Sequence, residues 1–161
     1  MRVLFLDFDG VLNSRTFLLA HPEATIGSAD QIDPNAVARV CEIVDETGCD
    51  VVISSSWRLM HALSDIRGML KRHGFNGRIV GKTPDCAQRL AWGGAIAGER
   101  RAEIAQWLDE TPRVVESFVA IDDDADANLD GRLVRTDFAE GLQDRHIEQA
   151  VAWLRTPWRR K

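Results

Sequence analysis

Acidic residues follow two apolar stretches of the chain at a spacing that suits a metal ion. Asp7 and Asp9 stand two apart after the first apolar run, and side chains two apart on an extended chain point the same way. Asp122 and Asp123 follow a second stretch, residues 114–121, which is rich in strand-favouring residues and ends in an apolar run. Carboxylates that lie close together need a compensating cation, and oxygen ligands favour Mg²⁺. These clusters predict a magnesium site where one carboxylate could attack phosphorus and another could move a proton.

A third polar group follows the apolar triplet 51–53. Ser54, Ser55 and Ser56 supply hydroxyl and amide donors, and Arg58 adds a guanidinium. Such groups bind phosphate, although a solvated loop is the ordinary interpretation of any one of them taken alone. Three polar groups that each follow an apolar run favour one shared site.

The elements that must position these groups alternate between apolar runs and amphipathic stretches. Asp33 and Pro34 suit the start of a helix, and Gly48 suits its end. The alternation predicts a parallel sheet covered by helices on both faces, in a single α/β domain over residues 1–161. Ligands of such sheets bind beyond the carboxyl ends of the strands, where the polar groups stand.

The composition argues against several classes of protein. The chain has 161 residues, 20 of them Lys or Arg and 25 Asp or Glu, for a net charge of −5. This balance argues against a nucleic-acid coat protein or a polybasic membrane binder. The 3 cysteines include no CxxC pair, which argues against a disulfide scaffold or structural zinc. With no apolar stretch near the roughly 18 residues of a membrane span, we predict a cytoplasmic protein that does not bind membranes.

The sequence also resembles a known family. Asp-Phe-Asp-Gly-Val-Leu at 7–12 is similar to the DxDGxL motif of the haloacid dehalogenase (HAD) superfamily of phosphohydrolases. With Ser-Ser-Ser-Trp-Arg at 54–58 and Ile-Asp-Asp-Asp at 121–124, the chain further resembles the compact HAD domains associated with RNA-repair proteins. The resemblance covers nearly the whole chain. It implies a Rossmann-like three-layer sandwich and a Mg²⁺-dependent phosphatase that acts through an aspartyl-phosphate.

The resemblance implies a role for each acidic residue. Asp7 would be the nucleophile and a metal ligand. Asp9 would be the general acid and base, with its backbone carbonyl on the metal. Asp122 and Asp123 would complete the metal site, and we favour Asp123 as the direct ligand.

Phosphate-binding roles follow from the same resemblance, with alternatives. Ser55 would hold the transferring phosphoryl group, and Ser54 is its rival. The cation that steadies the nucleophile would be Arg100, with Arg101 and Lys82 as alternatives. Arg58 would be either a substrate-phosphate ligand or a surface residue at the start of a helix. The other candidate phosphate ligands are Gly10, Ser54, Ser56 and Lys82.

The segment lengths leave no room for a sizeable cap over the site. Residues 10–33 suffice for a β-flap and a loop, and residues 58–100 for a helix, a short strand and a loop. An open site admits an RNA or DNA end or a nucleotide, on which Trp57 and Trp92 could stack while Arg89 contacts phosphate. For Trp57 we favour the alternative, in which it packs at the start of a helix. We lean towards these substrates; a small-metabolite phosphatase is the alternative, and no obligate protein partner is inferred.

A calcium-binding module is the alternative from another class. Residues 126–137 satisfy the pattern of an EF-hand loop, except that Asp137 replaces the final Glu. An EF-hand needs a helix that enters the loop, whereas the preceding residues are strand-like. We therefore favour an acidic connection between a strand and the next element.

Overall fold

The computed structural model describes residues 1–86 and 100–159. Within these residues, five parallel strands form one sheet. The strands are β1 (Arg2–Leu6), β2 (Asp50–Ile53), β3 (Ile79–Lys82), β4 (Ser117–Asp122) and β5 (Leu133–Arg135). Their order is β3-β2-β1-β4-β5, so β1 lies at the centre between β2 and β4.

Helices cover both faces of this sheet. They are α1 (Arg15–Ala20), α2 (Pro34–Thr47), α3 (Trp57–Met60), α4 (Leu63–Arg72), α5 (Arg100–Glu110) and α6 (Asp144–Arg155), with 3-10 turns at Ala29–Gln31 and Ala125–Ala127. Leu4 and Leu6 of β1 face the core that α2, α4 and α6 share, whereas Val3 and Phe5 face the core formed with α5. Successive side chains of a strand point to opposite faces, so β1 packs against both cores and is buried on both sides. The predicted α/β sandwich with a parallel sheet is confirmed.

Helix α2 has the predicted ends. The Asp33 side chain accepts a hydrogen bond from the Asn35 N–H at 2.8 Å, and Pro34 opens the helix. Gly48 ends it in the left-handed region, with φ of 63°. Asp33 thus fixes where α2 begins, and Gly48 fixes where the chain leaves it towards β2.

Two local predictions are wrong. The β-flap expected after residue 10 is replaced by α1 and a 3-10 turn, because Ser14 caps α1 by accepting from the Phe17 N–H at 3.1 Å. The one helix expected between residue 58 and the short strand that follows it is divided into α3 and α4, because His61 and Ala62 have extended backbone. Neither change adds a domain over the carboxyl edge of the sheet.

Two of the expected base and phosphate contacts, Trp92 and Arg89, lie outside the described residues. The helices of the described part of the chain are all too short or too polar to cross a membrane.

Candidate active site

The three polar groups meet at one edge of the sheet. Leu6, the last residue of β1, pairs with Ile53 of β2 on one side and with Ile121 of β4 on the other. Parallel strands in this register end side by side. The residues that follow them, among them Asp7 and Ser54, therefore emerge together at the carboxyl edge.

Three carboxylates lie at the centre of this edge. Asp7, Asp122 and Asp123 each place an oxygen within 4.8 Å of the others. Asp7 and Asp122 are 3% and 2% exposed, and the Asp7 Oδ1 atom has no hydrogen-bond partner. The nearby Arg100 guanidinium cannot by itself balance three clustered carboxylates, one of which has a buried oxygen without a hydrogen-bond partner, so this geometry calls for a further cation.

Burial dominates the acid–base properties of these groups. It raises the pKa of Asp7 to about 8, helped by the charge of Asp122 and opposed by Arg100. Burial likewise raises the pKa of Asp122 to about 6 and moves the pKa of Asp123 upwards. A cation would favour the ionised carboxylates. The hard carboxylate oxygens of Asp7, Asp122 and Asp123, one of which has no hydrogen-bond partner, fit Mg²⁺ and would hold it.

Arg100 is the cation that meets these carboxylates. Its Nη2 atom lies 3.6 Å from Asp7 Oδ1, and its Nε atom lies 3.4 Å from Asp122 Oδ2. Lys82, by contrast, is exposed and donates from Nζ to the Arg58 carbonyl at 2.8 Å. Arg101 is also exposed. The geometry favours Arg100 over both alternatives for the predicted role beside the nucleophile.

Asp9 stands apart from the three-carboxylate cluster and is only partly buried. Its Oδ1 atom accepts from Asn13 Nδ2 at 2.9 Å, and the Trp57 Nε1–H lies 3.2 Å from both of its oxygens. Ser56, which is exposed, donates from Oγ to Asp9 Oδ2 at 3.4 Å. These donors orient the side chain that we expect to move protons.

The sequence reasoning missed Asn13, and it did not predict that Trp57 contacts Asp9. Trp57 is 2% exposed and packs on Phe8 with ring centroids 5.0 Å apart, which fits the favoured packing at the start of a helix rather than stacking on a base. The signal for Trp57 was its position two residues after Ser55. For Asn13 the sequence shows only that it follows the first motif. That position does not predict that its side chain turns back to bind Asp9.

The two candidate serines differ in their surroundings. Burial dominates the Asp7 pKa, and the nearby Ser55 side chain partly offsets this rise by favouring the ionised carboxylate. The Ser54 hydroxyl is buried and has no hydrogen-bond partner. The contact with Asp7 favours Ser55 as the hydroxyl beside the reacting phosphoryl group.

Arg58 is buried, so its interpretation as a surface residue is wrong. Its guanidinium is 3% exposed and forms an ion pair with Glu103 at 2.5 Å. Nε donates to the Thr83 carbonyl, Nη1 to the Ser55 carbonyl and Nη2 to the Pro84 carbonyl, at 3.1, 2.7 and 3.2 Å. All three nitrogens therefore already donate to protein groups, which weakens the case for Arg58 as a phosphate ligand.

Gly10 gives Asp123 its place in the cluster. Its φ is +73°, and a Cβ atom there would lie 2.5 Å from Asp123 Cγ and 2.8 Å from Asp123 Cβ. Its N–H donates to Asn13 Oδ1 at 3.1 Å, so this amide is not free for a phosphate. The glycine permits close approach of two loops rather than supplying a ligand.

We expect Gly10→Ala to reduce both stability and Mg²⁺ binding. Gly131→Ala is the matched control, because Gly131 also has positive φ (+80°) but nothing within 4 Å of its would-be Cβ. The control should lose about 1–2 kcal/mol of unfolding free energy from backbone strain alone. Gly10→Ala should lose about 1–3 kcal/mol more from overlap with Asp123. Urea unfolding and Mg²⁺ titration measure both; equal losses in the two variants would contradict the overlap.

The acidic loop after β4 does not have the elements of an EF-hand. Strand β4 enters it where a helix is required. Asp124 caps the 3-10 turn, Asp126 Oδ2 accepts from the Arg100 N–H at 2.8 Å, and Asp130 accepts from Trp158 Nε1. Each of these carboxylates thus binds a different protein donor rather than sharing one ion. Asp126 holds the backbone of Arg100, whose guanidinium meets the carboxylate cluster.

Fold and site together define a Rossmann-like α/β domain with an acidic site at the carboxyl edge of its parallel sheet. Carboxylates follow β1 and β4, serines follow β2, and an arginine from α5 lies between the carboxylates. A comparison with protein families matches residues 3–147 to the family described as "HAD domain in Swiss Army Knife RNA repair proteins". The chain belongs to this family, which indicates phosphatase-type activity. Comparisons with curated proteins and with solved structures found no match.

Proposed function

We propose that this protein is a Mg²⁺-dependent phosphomonoester hydrolase that forms an aspartyl-phosphate on Asp7. The observation that carries the proposal is the buried Asp7 carboxylate, which has one unpartnered oxygen and lies within 4.8 Å of Asp122 and Asp123 oxygens. A nucleophile needs such an oxygen free for attack. When bound, Mg²⁺ would supply the charge that lets a phosphate dianion approach these carboxylates.

The proposed reaction has two steps. An Asp7 oxygen attacks phosphorus, the bond from phosphorus to the ester oxygen breaks, and Asp9 donates a proton to the departing alcohol. Water, deprotonated by Asp9, then attacks the phosphoryl group and releases inorganic phosphate and free Asp7. Ser55 and Arg100 hold the phosphoryl oxygens and balance their charge during both steps.

The proposed substrate is the phosphorylated end of an RNA or DNA strand, or a nucleotide. The description of the family, which places these domains in RNA-repair proteins, supports a phosphorylated nucleic acid. The absence of an inserted domain between β1 and α2 is consistent with a large substrate. The cytoplasmic location stays a prediction from cysteine usage.

Metal-dependent hydrolysis of phosphate esters tests this function. We expect the protein to release phosphate from an aryl phosphate with Mg²⁺, and to lose this activity fully in EDTA and regain it on Mg²⁺ addition. Oligonucleotides with a 5′- or 3′-phosphate, nucleotides and sugar phosphates would then be compared by kcat/KM. Preference for a sugar phosphate would favour the small-metabolite alternative. Turnover that persists in EDTA, or none with any divalent metal, would contradict the proposal.

A further inference from the structure

A buried ion pair lies beside the proposed reaction centre without being part of it. The Arg58 and Glu103 side chains are 3% and 5% exposed and meet at 2.5 Å. Burying two charges costs desolvation energy that their attraction often only offsets, so an apolar pair would serve stability equally well. This suggests that the pair has a task besides stability.

The first partner ties two loops at the carboxyl edge together. Arg58 Nη1 donates to the carbonyl of Ser55, the residue whose side chain contacts Asp7. Arg58 Nε and Nη2 donate to the carbonyls of Thr83 and Pro84, which follow β3. One planar guanidinium therefore fixes the backbone after β2 relative to the backbone after β3.

The second partner ties these loops to helix α5. Glu103 stands three residues after Arg100, and residues three apart lie on the same face of a helix. Glu103 Oε1 meets Arg58, while the Arg100 guanidinium lies 3.4 Å from Asp122 and 3.6 Å from Asp7. These two distances depend on how α5 is placed, so a small shift of the helix would remove Arg100 from the carboxylates.

We propose that Arg58 and Glu103 are positioning residues, which dock α5 on the loops after β2 and β3. The pair thereby holds Arg100 between Asp7 and Asp122 and keeps Ser55 beside Asp7. Its effect on turnover rests on the proposed phosphatase function, whereas its effect on the place of Arg100 does not. In this role Arg58 acts through other residues and does not bind the substrate phosphate.

A double-mutant cycle between Glu103 and Arg100 tests the docking. Glu103→Gln should lower kcat for an aryl phosphate about 10- to 100-fold, with KM changed less than about 3-fold. When it is added to Arg100→Met, kcat should fall by less than about 3-fold further, since Glu103 acts through Arg100. Glu110→Gln, the same change at an exposed position of α5, should leave kcat unaltered. Losses that multiply independently in the double variant would overturn the proposal.

A second variant separates positioning from stability. Arg58→Met combined with Glu103→Met removes both buried charges, so it should be more stable than Glu103→Gln, which leaves Arg58 unpaired, even though three carbonyls lose a donor. We expect its kcat to be about 10-fold lower, because methionine cannot bind the three carbonyls. Wild-type values of both kcat and KM in this folded variant would show that the pair is merely structural. Unchanged kcat with a strongly raised KM would make Arg58 a phosphate ligand; either result overturns the proposal.

The Arg100 Nε–H signal in nitrogen-15 NMR spectra tests the placement without any turnover. It is assigned by its loss in Arg100→Met and measured on the metal-free protein. Glu103→Gln should shift or broaden this signal, whereas Glu110→Gln should not. An unmoved signal would overturn the docking even if the enzyme is active. A shifted signal in a protein that hydrolyses nothing would support the docking and contradict only the proposed function.

Discussion

Asp7→Asn is expected to abolish phosphate release and, in the same protein, to make the metal-free fold more stable. Asparagine cannot form the acyl phosphate, so we expect kcat to fall at least about 1,000-fold, as when a catalytic nucleophile is removed. Stability should rise because Asp7 is 3% exposed, has an unpartnered Oδ1 and lies near the Asp122 charge. A neutral amide of the same shape carries no buried charge and does not have to take up a proton on folding.

The gain in stability should depend on pH in a defined direction. Burial raises the pKa of Asp7 to about 8, far above its value of 3.8 in an unfolded chain. Between these values the folded, metal-free protein holds a proton that the unfolded chain has lost. Stability is therefore greatest at low pH and falls as pH rises towards 8, by up to about 1.4 kcal/mol per pH unit for this group. Asp7→Asn should flatten this slope.

Thermal unfolding in EDTA from pH 5 to 8.5 measures both effects. Asp45→Asn is the matched control, because Asp45 is exposed on α2, and it should follow the wild type. In excess Mg²⁺ the wild type should gain most at high pH, where the ionised carboxylates bind the ion, and Asp7→Asn should gain much less. If Asp7→Asn keeps its turnover, with contaminating phosphatases excluded, Asp7 is not the nucleophile.

Asp9→Asn is expected to slow the reaction by an amount that depends on the leaving group. An alkyl phosphate releases a strongly basic alkoxide, so the loss of the proton donor should lower kcat/KM about 100- to 10,000-fold. An aryl phosphate with a weakly basic leaving group needs less help and should lose considerably less. Asp9 is only partly buried and lies outside the three-carboxylate cluster, so Mg²⁺ binding should change little.

The ratio of the two kcat/KM losses is the decisive measurement for Asp9. Trp57→Phe is a useful companion, since it keeps an aromatic ring against Phe8 but removes the N–H that lies 3.2 Å from both Asp9 oxygens. It should show the same dependence on the leaving group in weaker form. Equal losses of Asp9→Asn on both substrates would mean that Asp9 does not protonate the leaving group.

Much of the fold follows from local patterns in the sequence. Runs such as 51–53 are apolar throughout because a central strand is buried on both faces, and β2 is fully buried. The cap at Asp33 and the stop at Gly48 could be predicted because each depends on one residue and its immediate neighbours. The split between α3 and α4 could not, because Leu59 fits the helical period and yet is 59% exposed.

The sequence by itself also determined which groups could share a site. Parallel strands end at one edge, so Asp7, Ser55 and Asp122 could be expected together from their places after apolar runs alone. Their chemical types then limited the metal to a hard cation. These conclusions needed only periodicity, position and residue type.

Tertiary structure alone decided how the remaining residues are used. The choice among Arg100, Arg101 and Lys82 depends on which side chain reaches Asp7 across the fold, and only Arg100 meets it among these three. Likewise, Arg58 pairs with Glu103 in a distant helix. Side-chain direction and contacts between residues far apart in the chain arise from packing, and local sequence patterns carry no record of them.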